Sequence, residues 1–151
     1  VMAEILRATI ESAEEIKGLI YPGFFEESAF TGLTFDHNQT LEQVKSWIDG
    51  LCLIAVDDGK IVGFTAAVGY RSFFVEPELA VEIFYVKPEY RGKGVSRQLV
   101  EQIALHADAY GIKSVQTSCL SGISGANNAM FVNLWKKFGF SELGSVMMRG
   151  G

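Results

Sequence analysis

The sequence predicts an α/β protein of the α+β kind, a mixed central β-sheet flanked by about four helices, and three observations predict it. Apolar residues recur with a period of two in some segments and of 3.6 in others, and the two periods alternate along the chain. Two strand-like runs, Leu51 to Val56 and Ile61 to Tyr70, are joined by Asp57-Asp58-Gly59-Lys60. Asp and Gly tolerate the positive φ of a tight hairpin, so these two strands are expected to be antiparallel neighbours. A further run, Leu79 to Val86, is followed by a helix and then another strand, the order that makes a parallel crossover.

The elements follow in order. Ile5 to Ala8 reads as a first strand, and Ser12 with Glu15 offers a capping box for a helix running to about Ile20, where Pro22 and Gly23 stop it. Tyr21 to Gln39 reads as a loop. Thr40 then caps a second helix with Leu41, Val44, Trp47 and Ile48 on one face, ended by Gly50. Pro88, which cannot donate to a ladder, ends the Leu79 to Val86 strand. Val95 to Tyr110 carries Leu99, Val100, Ile103, Ala104 and Ala107 at helical spacing, with Gly111 at the stop position. Ser114 to Ser118 is the next strand. Asn127 or Asn128 caps a last helix bearing Met130, Phe131, Leu134, Trp135 and Phe138, which stops at Gly139, and Glu142 to Met148 is a final strand.

Composition sets the bounds on function. A length of 151 residues, 48% hydrophobic, suits one domain over residues 1–151, and no linker, repeat or low-complexity tract divides it. No apolar run approaches the ~20 residues of a membrane span, and no signal peptide is read at the start. Cys52 and Cys119 are the two cysteines, too few for a disulfide framework, so reduced thiols and a cytoplasmic protein are expected. Thirteen basic against eighteen acidic side chains give a net charge of -5, which disfavours nucleic acid and favours a cationic or amine-bearing partner. Two His and two Cys without ligand spacing give no metal site.

The segment that carries chemistry runs from Tyr85 to Ser96, where a strand passes through the glycine-rich turn Arg91-Gly92-Lys93-Gly94 straight into a helix. A helix N-terminus has backbone N–H groups without intrahelical partners and the positive end of the helix dipole, so it stabilises a pyrophosphate. Gly92 and Gly94 let the main chain approach phosphate oxygens, while Arg91 and Lys93 add charge. Neither the dinucleotide fingerprint, with three spaced glycines after the first strand, nor the P-loop, with Gly-Lys before Ser or Thr, is met.

This segment resembles the acetyl-CoA signature of the GNAT superfamily of N-acetyltransferases: Arg or Gln, two residues, Gly, one residue, then Gly or Ala. Arg91, Gly94 and Ser96 fill that frame, with Ser96 a departure at the last position. Asn128 to Phe140 is similar to the GNAT helix that begins with Asn and ends in Gly-Phe, and the element order is also the superfamily's. The resemblance implies a mixed sheet splayed between its fourth and fifth strands, with the pantetheine arm of acetyl-CoA in that cleft. It implies that backbone groups of Phe84, Tyr85 and Val86 bind the arm. It also implies that Arg91, Gly92, Lys93, Gly94, Val95 and Ser96 form the pyrophosphate site, and that Asn128 and Trp135 line the cleft from the other side.

Acetylation of an amine needs a base for the amine, donors for the oxyanion, and a proton for the leaving thiolate. Glu82 lies in an otherwise apolar strand where many family members carry a base, and partial burial would raise its pKa toward usefulness. The family often places a Tyr acid four residues before the Gly of Gly-Phe, where this chain has Trp135, whose indole N–H is no proton donor at neutral pH. Tyr85 and Tyr90 lie near the cofactor turn, and Tyr85 is the candidate substitute acid. Cys119 falls near the acetyl group, although direct transfer is the family's usual route.

In the family the Tyr21 to Gln39 stretch covers the acceptor, which brings in Phe25, Glu26, Phe30 and His37, aromatic and acidic groups suited to an amine. Phe74, in the 69–78 stretch, is expected as an opposing wall or a second-subunit contact. His106 reads as a boundary packing residue. The family's seventh strand has no counterpart before Gly151, so an uncovered sheet edge and a homodimer are expected.

These features predict an acetyl-CoA-dependent acyltransferase acting on a small amine or peptide, with no nucleic-acid or membrane partner. Trp135 keeps open an alternative, a GNAT-fold acyl-CoA-binding or sensor protein with little turnover. A nucleotide-binding regulator using the same turn is excluded by element order, because the turn follows the fourth strand rather than the first.

Overall fold

The computed structural model describes residues 3–28, 31–118, 125–144 and 149. β1 (Glu4–Arg7) leads through a tight turn at Ile10–Ser12 into α1 (Ala13–Gly18), a wide turn at Leu19–Phe24 and the single helical turn α2 (Phe25–Glu27). α3 (His37–Asp49), β2 (Leu51–Asp57), β3 (Lys60–Tyr70) and β4 (Glu78–Val86) follow. A short turn at Pro88–Tyr90 precedes α4 (Val95–Ala109), and β5 (Ser114–Thr117) and α5 (Gly125–Lys136) come last. The strands form one mixed sheet of five in the order β1-β2-β3-β4-β5, antiparallel up to β4 and parallel between β4 and β5. The hairpin read from Asp57 to Lys60 is present, with Asp58 and Gly59 at positive φ. Among the described residues no helix is long and apolar enough to cross a membrane.

The sheet splays where the sequence resemblance placed its cleft. β5 pairs with β4 only from Glu78↔Ser114 to Val81↔Thr117, so Glu82 to Val86 have no β5 partner among the described residues. On its other side the same half of β4 stays paired to β3, from Ala66↔Ile83 to Gly63↔Val86. One long edge of β4 is thereby held, while among the described residues the opposite edge is left open.

A bulge sits at the start of the splay. Val81 pairs with Ala67 and Ile83 with Ala66, which leaves Glu82 without a β3 partner. An extra residue reverses the inward and outward sets of a strand, because side chains alternate with period two. Leu79 and Val81 accordingly pack with Val95, Leu99, Val100 and Ile103 of α4, as do Phe84 and Val86 beyond the bulge. Ile83 and Tyr85 turn to the other face, onto Ile16 of α1 and Val44 and Trp47 of α3. Two cores result, one on each face of the sheet, and each fully buried aliphatic side chain within them contributes ~1.5–3 kcal/mol.

Several boundaries differ from those expected. Ser12 belongs to the tight turn before α1 and makes no side-chain cap. Glu15 instead accepts a hydrogen bond from the Ile61 N–H at 2.7 Å, which ties α1 to β3 and removes the capping box. Asp36, not Thr40, caps α3: its Oδ1 accepts from the Gln39 N–H at 2.9 Å, and the Thr40 hydroxyl donates to the Asp36 carbonyl at 2.7 Å. Part of the stretch read as a loop is therefore helical. α5 starts at Gly125, so Asn127 and Asn128 lie in its first turn rather than before it. Residues 141–144 are irregular, and 145–148 of the expected last strand lie outside the described residues.

Candidate active site

The glycine-rich turn between β4 and α4 has the conformation an anion site needs. Gly92 and Gly94 have φ of +74° and +89°, in the left-handed region, and Gly94 is the N-cap of α4 with no side-chain capping bond. The first N–H groups of α4 are thus left to an external acceptor. A Cβ added at either glycine would meet no atom within 4 Å, so the space in front of the turn is open. Lys93 is exposed, its Nζ 5.9 Å from the centroid of the Tyr90 ring, and Tyr90 donates to Asp57 Oδ2 at 2.9 Å. That bond to Asp57, then burial, holds the Tyr90 phenol above its ordinary pKa. Val95 is buried as an anchor of the helix, and Ser96 is half-buried beside it.

Arg91 stands at the head of this turn but is engaged within the protein. Its Nε donates to the Val86 carbonyl at 2.9 Å, and Nη1 and Nη2 donate to Glu27 Oε1 and Oε2 at 3.0 and 2.5 Å. The guanidinium carbon lies 5.5 Å from the centroid of the Tyr85 ring. Tyr85 is buried, with Phe24 against it edge-on, and a Cβ at Gly23 would come within 2.7 Å of its hydroxyl. A side chain at position 23 would require the Tyr85 ring to shift. Burial first, then the charge of Glu27, raises the Tyr85 phenol, so it holds its proton at neutral pH. The sequence places Glu27 among the acids of the stretch expected to cover the acceptor, but not its pairing with Arg91, because the two are 64 residues apart and nothing local links them.

The other catalytic candidates are dispersed. Glu82 is exposed at the bulge, not partly buried as the sequence suggested. Trp135 is 2% exposed, packed edge-on against Phe84, Phe131 and Phe140, and among the described residues its Nε1 has no hydrogen-bond partner. Phe84 and Trp135 belong to the α4 core, whereas Tyr85 faces α1 and α3. Tyr85 thus lies on the opposite face of the sheet from Trp135, because neighbouring residues of a strand point to opposite faces. Asn128 is in the first turn of α5.

In the stretch expected to cover the acceptor the structure assembles an aromatic cluster. Phe25 lies 5.7 Å from Tyr21 and 5.4 Å from Phe35, and the exposed His37, first residue of α3, meets Tyr21 and Phe35 edge-on at 5.0 and 4.9 Å. Glu26 is exposed next to Phe25. Phe30 and Cys119 lie outside the described residues. Phe74 is not brought to this cluster. It is 62% exposed on the β3–β4 connection, at the start of β4, whereas Gly23 packs on Tyr85 near the strand's other end, roughly 23 Å of strand away at ~3.3 Å per residue.

A groove of about 540 Å³ opens at the far end of α4, lined by Arg7, Trp47, Leu79, His106 and Tyr110 among others. It contains none of the residues expected to act. The His106 ring lies 4.6 Å from that of Tyr110 there, tilted by 35°, and burial, then Arg7, lowers its pKa.

Residues 49–142 match a family model described as an acetyltransferase (GNAT) domain. No curated protein sequence matches the chain. Among solved structures, the fold is similar to an integron cassette protein from the mobile metagenome of Cole Harbour Salt Marsh, at TM-score 0.74 and 16% identity, over 97% of this chain and 89% of that one. It is similar to AAC(6')-Iy in complex with the bisubstrate analog CoA-S-monomethyl-acetylneamine, at TM-score 0.72 and 18% identity, over 100% of this chain and 99% of that one. It is also similar to ribosomal-protein-alanine N-acetyltransferase from Brucella melitensis biovar Abortus 2308, at TM-score 0.68 and 16% identity, over 97% and 99% of the two chains. At these identities the structural likeness speaks for the fold. The family match spans more than half of the sequence and takes in both the splayed β4 and the uncapped turn before α4, and by it the chain belongs to the GNAT acetyltransferase family.

Proposed function

We propose that this chain is an N-acetyltransferase that moves the acetyl group of acetyl-CoA to a primary amine of a small molecule or peptide, by direct attack in a ternary complex. The observation that carries it is an uncapped, glycine-built helix N-terminus placed directly beyond the half of β4 that has no β5 partner. The open space before Gly92 and Gly94 fits a pyrophosphate, which the backbone N–H groups of Gly92 to Ser96 and the Lys93 ammonium would hold. The edge of Phe84 to Val86, unpaired among the described residues, suits the amides of a pantetheine arm, with the ring wall of Phe84 and Trp135 beside it and Asn128, in the first turn of α5, as the further contact that the family resemblance implies. When bound, acetyl-CoA supplies the acetyl group as a thioester.

The chain's own residues then have distinct tasks. Glu82, exposed at the bulge, takes the proton that the attacking amine must lose, directly or through water. The rings of Tyr21, Phe25, Phe35 and His37, with Glu26 and Asp36 among them, form a surface that attracts a cationic amine. The net charge of -5 acts in the same direction. The names of the structural neighbours span both acceptor classes, an aminoglycoside N-acetyltransferase and a ribosomal-protein N-acetyltransferase. A cytoplasmic protein accords with Cys52, a free thiol that burial pushes up to about 12.

One observation favours a second reading, an acyl-CoA-binding protein with little turnover. Trp135 stands at the usual acid position, is buried and cannot release a proton at neutral pH. Calorimetric titration of CoA, together with thiol release from acetyl-CoA against polyamines, amino acids, aminosugars and short peptides, separates the two. The transferase reading expects CoA binding, amine-dependent release, and a loss of ~10²-fold in kcat in Glu82→Gln with CoA affinity retained. Binding without release across the panel supports the sensor, and no binding overturns the cofactor assignment.

A further inference from the structure

The bidentate pair between Arg91 and Glu27 joins two segments that the fold otherwise holds apart, the cofactor turn and the stretch 19–28 on the acceptor side. Three N–H groups of Arg91 are engaged at once, one on the Val86 carbonyl at the end of β4 and two on the Glu27 carboxylate. A planar fork bonded on both sides has a fixed orientation, which a single-point lysine contact does not give. Beneath it the Tyr85 ring carries the guanidinium, and its hydroxyl closes against Gly23 and interacts with Glu27. The stretch 19–28 is thus registered against the cofactor turn at two points, Gly23 on Tyr85 and Glu27 on Arg91.

The start of the stretch is anchored in the core of α1 and α3, where Leu19 and Ile20 are buried and against which Phe24 packs. Beyond that anchor Tyr21, Pro22 and Glu26 are exposed, and the backbone leaves helical geometry at Tyr21, with φ -128° and ψ 124°. At its far end the Glu27 pair with Arg91 is the contact that reaches the cofactor turn. Resting on the proposed acetyl-CoA site, we propose that Glu27 is a positioning residue that, through Arg91, couples occupancy of the cofactor turn to the order of the acceptor-side stretch 19–28. Arg91 on this view acts through the main chain it holds rather than as the principal ligand of the phosphate. A cofactor that fixes the Arg91 to Ser96 backbone also fixes the guanidinium, and with it the carboxylate of Glu27.

Amide hydrogen exchange of the full chain, free and saturated with CoA, tests this without any acceptor. In the natural sequence, CoA is expected to slow exchange in residues 19–28 by about fivefold or more, the low end of ordinary coupling, as well as in the turn itself. Glu27→Gln and Arg91→Lys are expected to lose the effect at 19–28 while retaining it at 92–97, and Glu14→Gln, an exposed change on α1, to keep both. Unchanged exchange in β2 to β4 shows that each variant is folded. Protection of 19–28 that persists in Glu27→Gln, or is absent from the natural sequence while the turn is protected, overturns the coupling. A calorimetric titration in which CoA does not bind overturns the cofactor site instead.

Discussion

At the scale of single residues, the turn before α4 shows how a conformation is written in local sequence. Gly94 adopts φ +89° as the residue from which α4 starts, and any side chain there incurs roughly 1–2 kcal/mol of left-handed strain. Its Cβ would also stand in the open space assigned to the pyrophosphate. Gly94→Ala is expected to lower thermal stability modestly and weaken CoA binding about tenfold, read by calorimetry. A variant that binds CoA as the natural sequence does would remove the turn from the site. The turn itself was legible in the sequence, because it is built from consecutive residues. The Arg91–Glu27 pair was not, since its partners are 64 positions apart and the sequence offered Arg91 a phosphate as a plausible alternative. The cap of α3 was misread for a related reason. Thr40 and Asp36 are both capping residue types, and spacing alone does not show that the Asp36 carboxylate reaches the Gln39 N–H.

At the scale of elements, hydrophobic period was enough to find the five strands and the main helices of the described residues, because the sheet buries both faces against amphipathic helices. α4 illustrates the energetics. Leu99, Val100 and Ile103 are fully buried against β4, at the spacing that the sequence showed. Ile103→Ala is expected to cost ~2–5 kcal/mol in urea denaturation, through the cavity it leaves, with little change in the denaturant slope. A loss below 1 kcal/mol would mean that α4 carries less of the core than its burial implies. The bulge of β4 had no such signature. Glu82 stands in the sequence as an acid inside an apolar run, which fits an exposed ladder residue equally well. Only the register, Val81 on Ala67 and Ile83 on Ala66, shows that it is the extra residue where the strand changes face.

At the scale of the whole molecule, the sheet divides the protein into a face with α4 and Trp135, the proposed cofactor side, and a face with α1 and α3, the proposed acceptor side. Phe73 and Val75 are 96% and 87% exposed beside Phe74 on the β3–β4 connection, an apolar tip that supports the proposed homodimer. Light scattering at working concentration is expected to give twice the mass of one chain, and a monomer would refute it. The two-sided layout also bears on how the molecule is observed. The chain has two tryptophans, and one lies in each core: Trp47 against α1 and β3, Trp135 against β4 and α5. Among the described residues neither indole N–H has a hydrogen-bond partner, and both rings are buried. Each face of the sheet thus contains its own fluorophore. Trp47→Phe leaves an emission that reports the cofactor side alone, and Trp135→Phe one that reports the acceptor side, so the melting of each half can be followed by its own colour.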